Sequence, residues 1–312
     1  MRDGKRNFAG DPRAETPTTK IMLRALAVSL AMLAVNPGPC AAETTSQAVG
    51  IRNEQPAPHS NSTAGSSSGE DSAAENELLE AANKSRELAG VPPLRMEESL
   101  REAARAHARR MVESERLEHQ LPGEHSLLER IAQVSPLKMN RAGENIAYAS
   151  CAPGANAVLM RSAPHRENLL DRGFNVAGVA AIWSKGRLYV VQDFAHEVPS
   201  YSAQQSGKLV GQAVDEMRQQ AGLPQLVQFT PPNLDEAACS LARENRPNAH
   251  LLAASYDNRK IIAYTESRPE VLPSGALRLL RDPGVRQFAV GSCYARNAAY
   301  PTGMYWVAIL LY

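Results

Sequence analysis

Three polar fragments carry the residue types that do chemistry: His119 in HQLPG (119–123), Glu144 in GENIAY (143–148) and His165 in PHREN (164–168). Each sets one imidazole or carboxylate among residues suited to packing. Imidazole and carboxylate bind metals and move protons. Two neutral imidazoles with one carboxylate could hold a divalent metal such as zinc or magnesium, leaving a coordination position open. The same set could form a hydrogen-bonded network in which Glu144 orients one imidazole. A plainer reading puts Glu144 near a chain reversal, where it holds backbone amides or Asn145 in place, because a buried charge without partners is costly. No nucleophile is paired with a base by signature. Ser162 is close to His165 in the chain, but Gly-x-Ser-x-Gly and His-Glu-x-x-His are both missing.

Elements must position these fragments. Leu78, Leu79, Ala82, Arg86 and Ala89 recur at three- and four-residue steps and predict a helix from about Ala74, stopped by Gly90 and Pro92-Pro93. A second helix is expected from Glu97 to about Arg116, with Leu100, Ala103, Ala104, His107, Ala108 and Met111 on one face. His107 on that face reads as core or cleft edge. His125, in the following loop, is a further candidate ligand. Short helices are expected at Ser126–Val134 and Ala155–Arg161, then strands at Val176–Trp183 and Arg187–Phe194 around Ser184-Lys185-Gly186. Helices flanking a strand-rich centre give a mixed α/β sandwich of the α+β type, not a doubly wound fold. Arg166 and Asn168 are expected to hold the turn after His165.

The second half repeats the framework. Asn83-x-x-Arg86-x-x-x-Gly90-Val91-Pro92-x-Leu94 lines up with Asp215-x-x-Arg218-x-x-x-Gly222-Leu223-Pro224-x-Leu226. Leu100-x-x-Ala103-Ala104 matches Leu234-x-x-Ala237-Ala238, and Ile146-Ala147-Tyr148 matches Ile262-Ala263-Tyr264. Residues 74–197 and 205–312 therefore read as two tandem copies of one domain. In this alignment Glu144 becomes Lys260 and His165 becomes Val285, so the second copy keeps the fold and loses the chemistry. Asn83 and Arg86, which recur as Asp215 and Arg218, read as structural.

The chain has 312 residues, a net charge of +1 and 43% hydrophobic residues, enough for about two domains with real cores. Near-neutral charge argues against nucleic-acid binding. Lys20 and Arg24 precede an apolar run from Ala25 to Val35, and Cys40-Ala41-Ala42 offers small residues for a cut. Residues 1–42 thus read as leader and signal peptide, and the run is too short for a transmembrane span. Secretion or periplasmic export is expected, with lipoprotein attachment through Cys40 the weaker reading. Residues 43–73, rich in Ser, Ala, Thr, Gly and Pro, read as a disordered linker. Cys151, Cys239 and Cys293 would remain after cleavage, an odd number that leaves one thiol free or intermolecular; Cys239–Cys293 is one candidate bridge.

On these fragments the first copy resembles a bacterial member of the CAP superfamily, the SCP-like domains related to cysteine-rich secretory, antigen 5 and pathogenesis-related proteins. The likeness runs from Asn-x-x-Arg through Leu-x-x-Ala-Ala-x-x-His-Ala and Gly-Glu-Asn-Ile to His-Arg-x-Asn-Leu-Leu and Val-Val-Gln-Asp-Phe. It implies an α-β-α sandwich with a central antiparallel sheet and a surface cleft holding His119, Glu144 and His165, with Asn145, Arg166 and Asn168 as structural motif residues. A second cleft glutamate after a tryptophan, common in animal members, is replaced by Leu159-Met160-Arg161-Ser162. The resemblance implies an exported binding module for a divalent metal, a lipid or sterol, or a protein partner. The alternatives are a metal-dependent hydrolase of peptidase type using the same cleft, and a structural envelope or adhesion protein with a vestigial site.

Overall fold

The computed structural model describes residues 69–253, 255–256 and 260–312. The expected leader, and the linker up to residue 68, lie outside the described residues. The chain runs β1 (Gly69–Glu70), α1 (Ser72–Leu88), β2 (Arg95–Met96), α2 (Glu98–Ser114), α3 (Leu127–Val134), β3 (Met139–Ala149), α4 (Ala152–Arg161), α5 (Ala163–Leu169), β4 (Val176–Ser184) and β5 (Arg187–Glu197). It continues through α6 (Ala203–Gln220), β6 (Val227–Phe229), α7 (Leu234–Arg243), α8 (His250–Ala253), β7 (Lys260–Glu266), α9 (Leu277–Leu280), β8 (Gln287–Ala295) and β9 (Met304–Leu311).

In the first half β1, β4, β5 and β3 form an antiparallel sheet in that order, and β2 adds to β4 in parallel. The expected antiparallel sheet therefore carries one short parallel strand. Side chains alternate across it. Ile146, Ala180 and Val191 pack on Ala104, Ala108 and Met111 of α2. Val179 and Val190 on the opposite face pack on Leu78 of α1 and Ala155 of α4. Helices on both faces of one sheet make an α-β-α sandwich. The sheet comes closest to α2 at Gly178, where a Cβ would lie 2.1 Å from the Leu100 carbonyl carbon.

The start of the first helix differs slightly from expectation. Asp71 accepts from Ala74 N at 2.9 Å, so α1 begins at Ser72, and Gly69–Glu70 pairs with β4 instead of belonging to the linker. At its other end Gly90 (φ 66°) accepts the left-handed turn, with Val91 N donating to Arg86 O and Gly90 N to Glu87 O. Asn83 closes the next turn by bonding both the N–H and the carbonyl of Leu94. The Arg86 side chain is fully buried and donates to the carbonyls of Pro92, Leu169, Asp171 and Phe174 at 2.7–3.0 Å.

The second sheet has the order β6-β8-β9-β7, with β6 parallel to β8 and the other pairs antiparallel. That is the order β2-β4-β5-β3 over again. Arg218, likewise buried, donates to the carbonyls of Pro224, Leu280 and Asp282. Gly291 lies under the first turn of α7, its Cβ position 2.3 Å from Leu234 O, as Gly178 lies under α2. These contacts shift the residue correspondence read from sequence. Lys260 bonds Asp282 as Arg141 bonds Asp171, so Lys260 answers to Arg141 and not to Glu144. Glu144 pairs with Asp193, itself opposite Gly178; the counterparts are Ala263 and Ala308, the latter opposite Gly291. Counting from Leu169 and Leu280, His165 falls on Ala276 and not on Val285.

Three further expectations change. β3 was not expected as a strand, and Glu144 lies within it instead of at a chain reversal. Its polar Asn140, Arg141, Glu144 and Asn145 obscure the two-residue alternation. α5 was also missed; Pro164 in its first turn favours helix initiation, but the run is only 7 residues long. Cys239 and Cys293 form a disulfide joining α7 to β8, Cys151 is disulfide-bonded as well, and no described cysteine is free. The odd free thiol is not found among the described residues.

Arg86→Ala would strand four carbonyls that share one guanidinium, a loss of at least about 3 kcal/mol at typical values for charged hydrogen bonds. Denaturant unfolding checks this, and an unchanged midpoint would contradict the role given to Arg86.

Candidate functional site

β3 is the edge strand of the first sheet, and Glu144 points from it toward the α2 side. Its carboxylate is almost fully buried. Glu144 Oε1 lies 2.8 Å from His119 Nδ1, and Oε2 accepts from Arg130 Nη2 of α3 at 2.6 Å. Arg130 Nη2 also reaches the His119 carbonyl at 3.3 Å. An ionised carboxylate only accepts, so Nδ1 of His119 is the donor, and in the neutral form of the ring the lone pair would sit on Nε2. The His119 side chain is 44% exposed.

Beneath this pair is a second imidazole–carboxylate contact. His107 Nδ1 of α2 lies 2.9 Å from Glu124 Oε1, and His107 Nε2 lies 3.8 Å from Glu144 Oε2. Glu124 also folds its own loop, Oε2 accepting from Leu121 N at 3.0 Å and its carbonyl from Gln120 Nε2 at 2.9 Å. Asp193 of β5, the register partner of Glu144, completes the cluster and is buried. Burial, then the adjacent Glu144 charge, hold the Asp193 carboxyl well above its ordinary pKa. Burial also pushes Glu144 upward, but the His119 hydrogen bond and the nearby charges of Arg130, His107 and His119 outweigh it and leave Glu144 below its ordinary value. The two adjacent carboxyls are thus pushed in opposite directions, Asp193 up and Glu144 down, and titrate as a pair.

His165 reaches the site from the other face. Asn145, next to Glu144 and pointing oppositely, donates to the His165 carbonyl at 3.0 Å and to Gln192 Oε1 at 3.3 Å. Asn168 donates to the Glu144 carbonyl and to Asn145 Oδ1, both at 3.2 Å. Asn168 thus ties α5 to β3 instead of holding the turn after His165. Arg166 reaches back to the Met160 carbonyl at 3.0 Å, in the turn before it. The His165 ring is half-buried, with Nδ1 buried and unbonded; burial first, then the charge of His119, lower its pKa. Direct contact therefore joins His119 to Glu144, while His165 is tied to β3 through its carbonyl, which accepts from Asn145.

Among the described residues no three His, Cys, Asp or Glu side chains are grouped to hold a metal ion. Both Glu144 oxygens are taken, one by His119 and one by a guanidinium. That leaves the two imidazoles, His119 and His165, as the candidate metal donors, with Glu144 behind His119. His125 is exposed, 3.8 Å from Glu129, and takes no part in the cluster. A cavity of about 470 Å³ lies beside the site, lined by Arg110, Glu113, Ser114, Arg116, Leu121 and Pro122 and by none of the three cleft residues. Sequence reading missed Glu124, Arg130 and Asp193. Arg130 sits on the apolar side of a short helix, and Asp193 interrupts an apolar strand, Val190-Val191-Gln192-Asp193-Phe194. A charge inside a buried strand was the available signal.

Residues 79–194 match the model of the Cysteine-rich secretory protein family, CAP. The "Uncharacterized protein YkwD" of Bacillus subtilis (strain 168) is 32% identical over 114 residues, 36% of this chain and 44% of the relative, so the chain spans less than half of that relative's length. An extracellular protein of known structure containing a SCP domain, from Bacillus anthracis str. Ames, is 24% identical over 40% of this chain and 41% of its own, with TM-score 0.37. A cysteine-rich secretory protein of known structure from Staphylococcus aureus subsp. aureus Mu50 is 21% identical over 40% and 39%, with TM-score 0.32. Residues 79–194 thus match a CAP, or SCP-like, domain, which takes up a little over a third of the chain. Among the described residues no helix is long and apolar enough to cross a membrane.

An aspartic acid whose folded pKa exceeds its unfolded value binds more protons folded than unfolded, so its contribution to stability falls as pH rises between the two. Asp193→Asn removes that dependence while keeping shape. The variant should gain stability relative to the natural chain as pH rises from about 4 toward 8, read by denaturant unfolding. A pH-independent difference would show that the Asp193 pKa is not raised.

Proposed function

We propose that the chain is an exported bacterial binding module whose CAP cleft takes a divalent metal ion between His119 and His165. The observation that carries this reading is the 2.8 Å contact from Glu144 Oε1 to His119 Nδ1, which fixes the tautomer that leaves Nε2 as a ligand. A carboxylate behind a ligating imidazole both orients the ring and raises its basicity. The buried, unbonded His165 Nδ1 is a second polar atom that lacks a protein partner. With two imidazoles supplied by the chain, the remaining positions fall to water or to a ligand from outside. Borderline-soft zinc suits such nitrogen donors better than magnesium, which prefers oxygen.

A binding module is favoured over a hydrolase that works through a side-chain nucleophile, because none of the hydrogen bonds given for the described residues joins a serine, threonine or cysteine to an imidazole. A lipid or sterol would call for a deep apolar pocket, and the adjoining cavity has four polar or charged side chains among its six lining residues. We read 205–312 as a degenerate second copy of the domain, on the shared strand order and the matched Arg86 and Arg218 contacts. In its site Ala263, Ala308 and Ala276 replace Glu144, Asp193 and His165.

Titration calorimetry with zinc tests the metal reading. The natural chain should bind one equivalent, and His119→Ala or His165→Ala should each weaken binding by at least roughly 100-fold, beyond the usual effect of an outer-shell change. Magnesium should give little heat. No heat with zinc in the natural chain, or equal affinity in the double variant, would refute it.

A further inference from the structure

We infer that the second half acts as a positioning clamp on the cleft of the first, with Arg296 as its principal contact. Arg130 and Glu144, the ion pair that holds His119, are joined in the chain by the C-terminal turn of α3, the connector after it and the start of β3. The second half grips this stretch at three points. Arg296, exposed just beyond β8, donates to the carbonyls of Ala132 at 2.9 Å and Ser135 at 2.6 Å. Lys138 runs the other way, its Nζ lying 3.9 Å from the Tyr294 ring centre and 3.2 Å from the Tyr305 hydroxyl. Asn140 Nδ2 meets Ser267 Oγ at 3.4 Å.

α3 has only 8 residues, too few for a helix to persist on its own propensity. Its last carbonyls have no partner within the helix, and a guanidinium there both bonds them and complements the negative end of the helix dipole. Arg296 supplies that group from the other half of the chain. The path is contiguous: Arg296 to the end of α3, α3 to Arg130, Arg130 to Glu144, and Glu144 to the ring of His119. Each link is a hydrogen bond or one helical turn. A physical path alone does not establish coupling, so the test reads coupling directly.

The clamp deepens the cleft reading above and rests on it only for the metal readout. The test uses the full chain with Arg296→Ala and Lys138→Met; the first removes an exposed side chain and the second keeps the packing volume. The first readouts need no ligand: amide hydrogen exchange over residues 131–135, and the ¹⁵N shifts of the His119 ring. Exchange there should quicken by about tenfold and the ring shifts should move toward the other tautomer, while amides of β8 and β9 stay protected. Arg296→Lys should restore part of both changes. The third readout is zinc affinity, expected to weaken by roughly three- to tenfold. If α3 exchange and the His119 shifts match the natural chain, or if the variants only lower the global unfolding midpoint, the clamp is wrong. If the natural chain takes up no zinc, the metal reading fails alone, and exchange and ring shifts still decide the clamp.

Discussion

The buried carboxylate of Glu144 is the constraint around which the site is organised. A lone carboxylate in the body of a sheet is costly to bury, so its surroundings must supply partners in definite places. Arg130 and His119 meet its two oxygens, and the requirement reaches one strand further to Asp193, whose carboxyl burial and the Glu144 charge push well above its ordinary pKa. Each partner comes from a different element: α3, the loop after α2, and β5. The position of the His119 ring is thus a product of the whole first sandwich and not of its local loop.

Arg86 plays the corresponding part for the frame. One guanidinium gathers four carbonyls from the turn after α1, the last residue of α5 and the loop that follows it, where no regular structure satisfies them. Arg218 does nearly the same with three. The halves agree at this guanidinium and differ where the first half assembles imidazoles and carboxylates. That contrast separates folding residues from site residues without recourse to any relative.

Much of this was legible in the sequence because it rests on periodicity and punctuation. The Arg-x-x-x-Gly-x-Pro runs mark two helix ends, the apolar steps mark α1 and α2, and the alternation around Ser184-Lys185-Gly186 marks β4 and β5. The contact between His119 and Glu144 was among the readings offered. What stayed hidden depends on pairing in space. β3 carries too many polar residues to read as a strand, and Arg130 and Glu124 look like solvated charges until α3 and its loop fold over them. The correspondence of Lys260 was misread because Ile-Ala-Tyr recurs at a register two strands apart do not share: the side chains alternate, so a small offset assigns a residue to the wrong place or face.

The disulfide between Cys239 and Cys293 links residues 54 apart, and loop-closure accounting assigns such a link about 4 kcal/mol through the unfolded chain. It ends three residues before Arg296. The link therefore ties α7 to the strand from which that arginine extends.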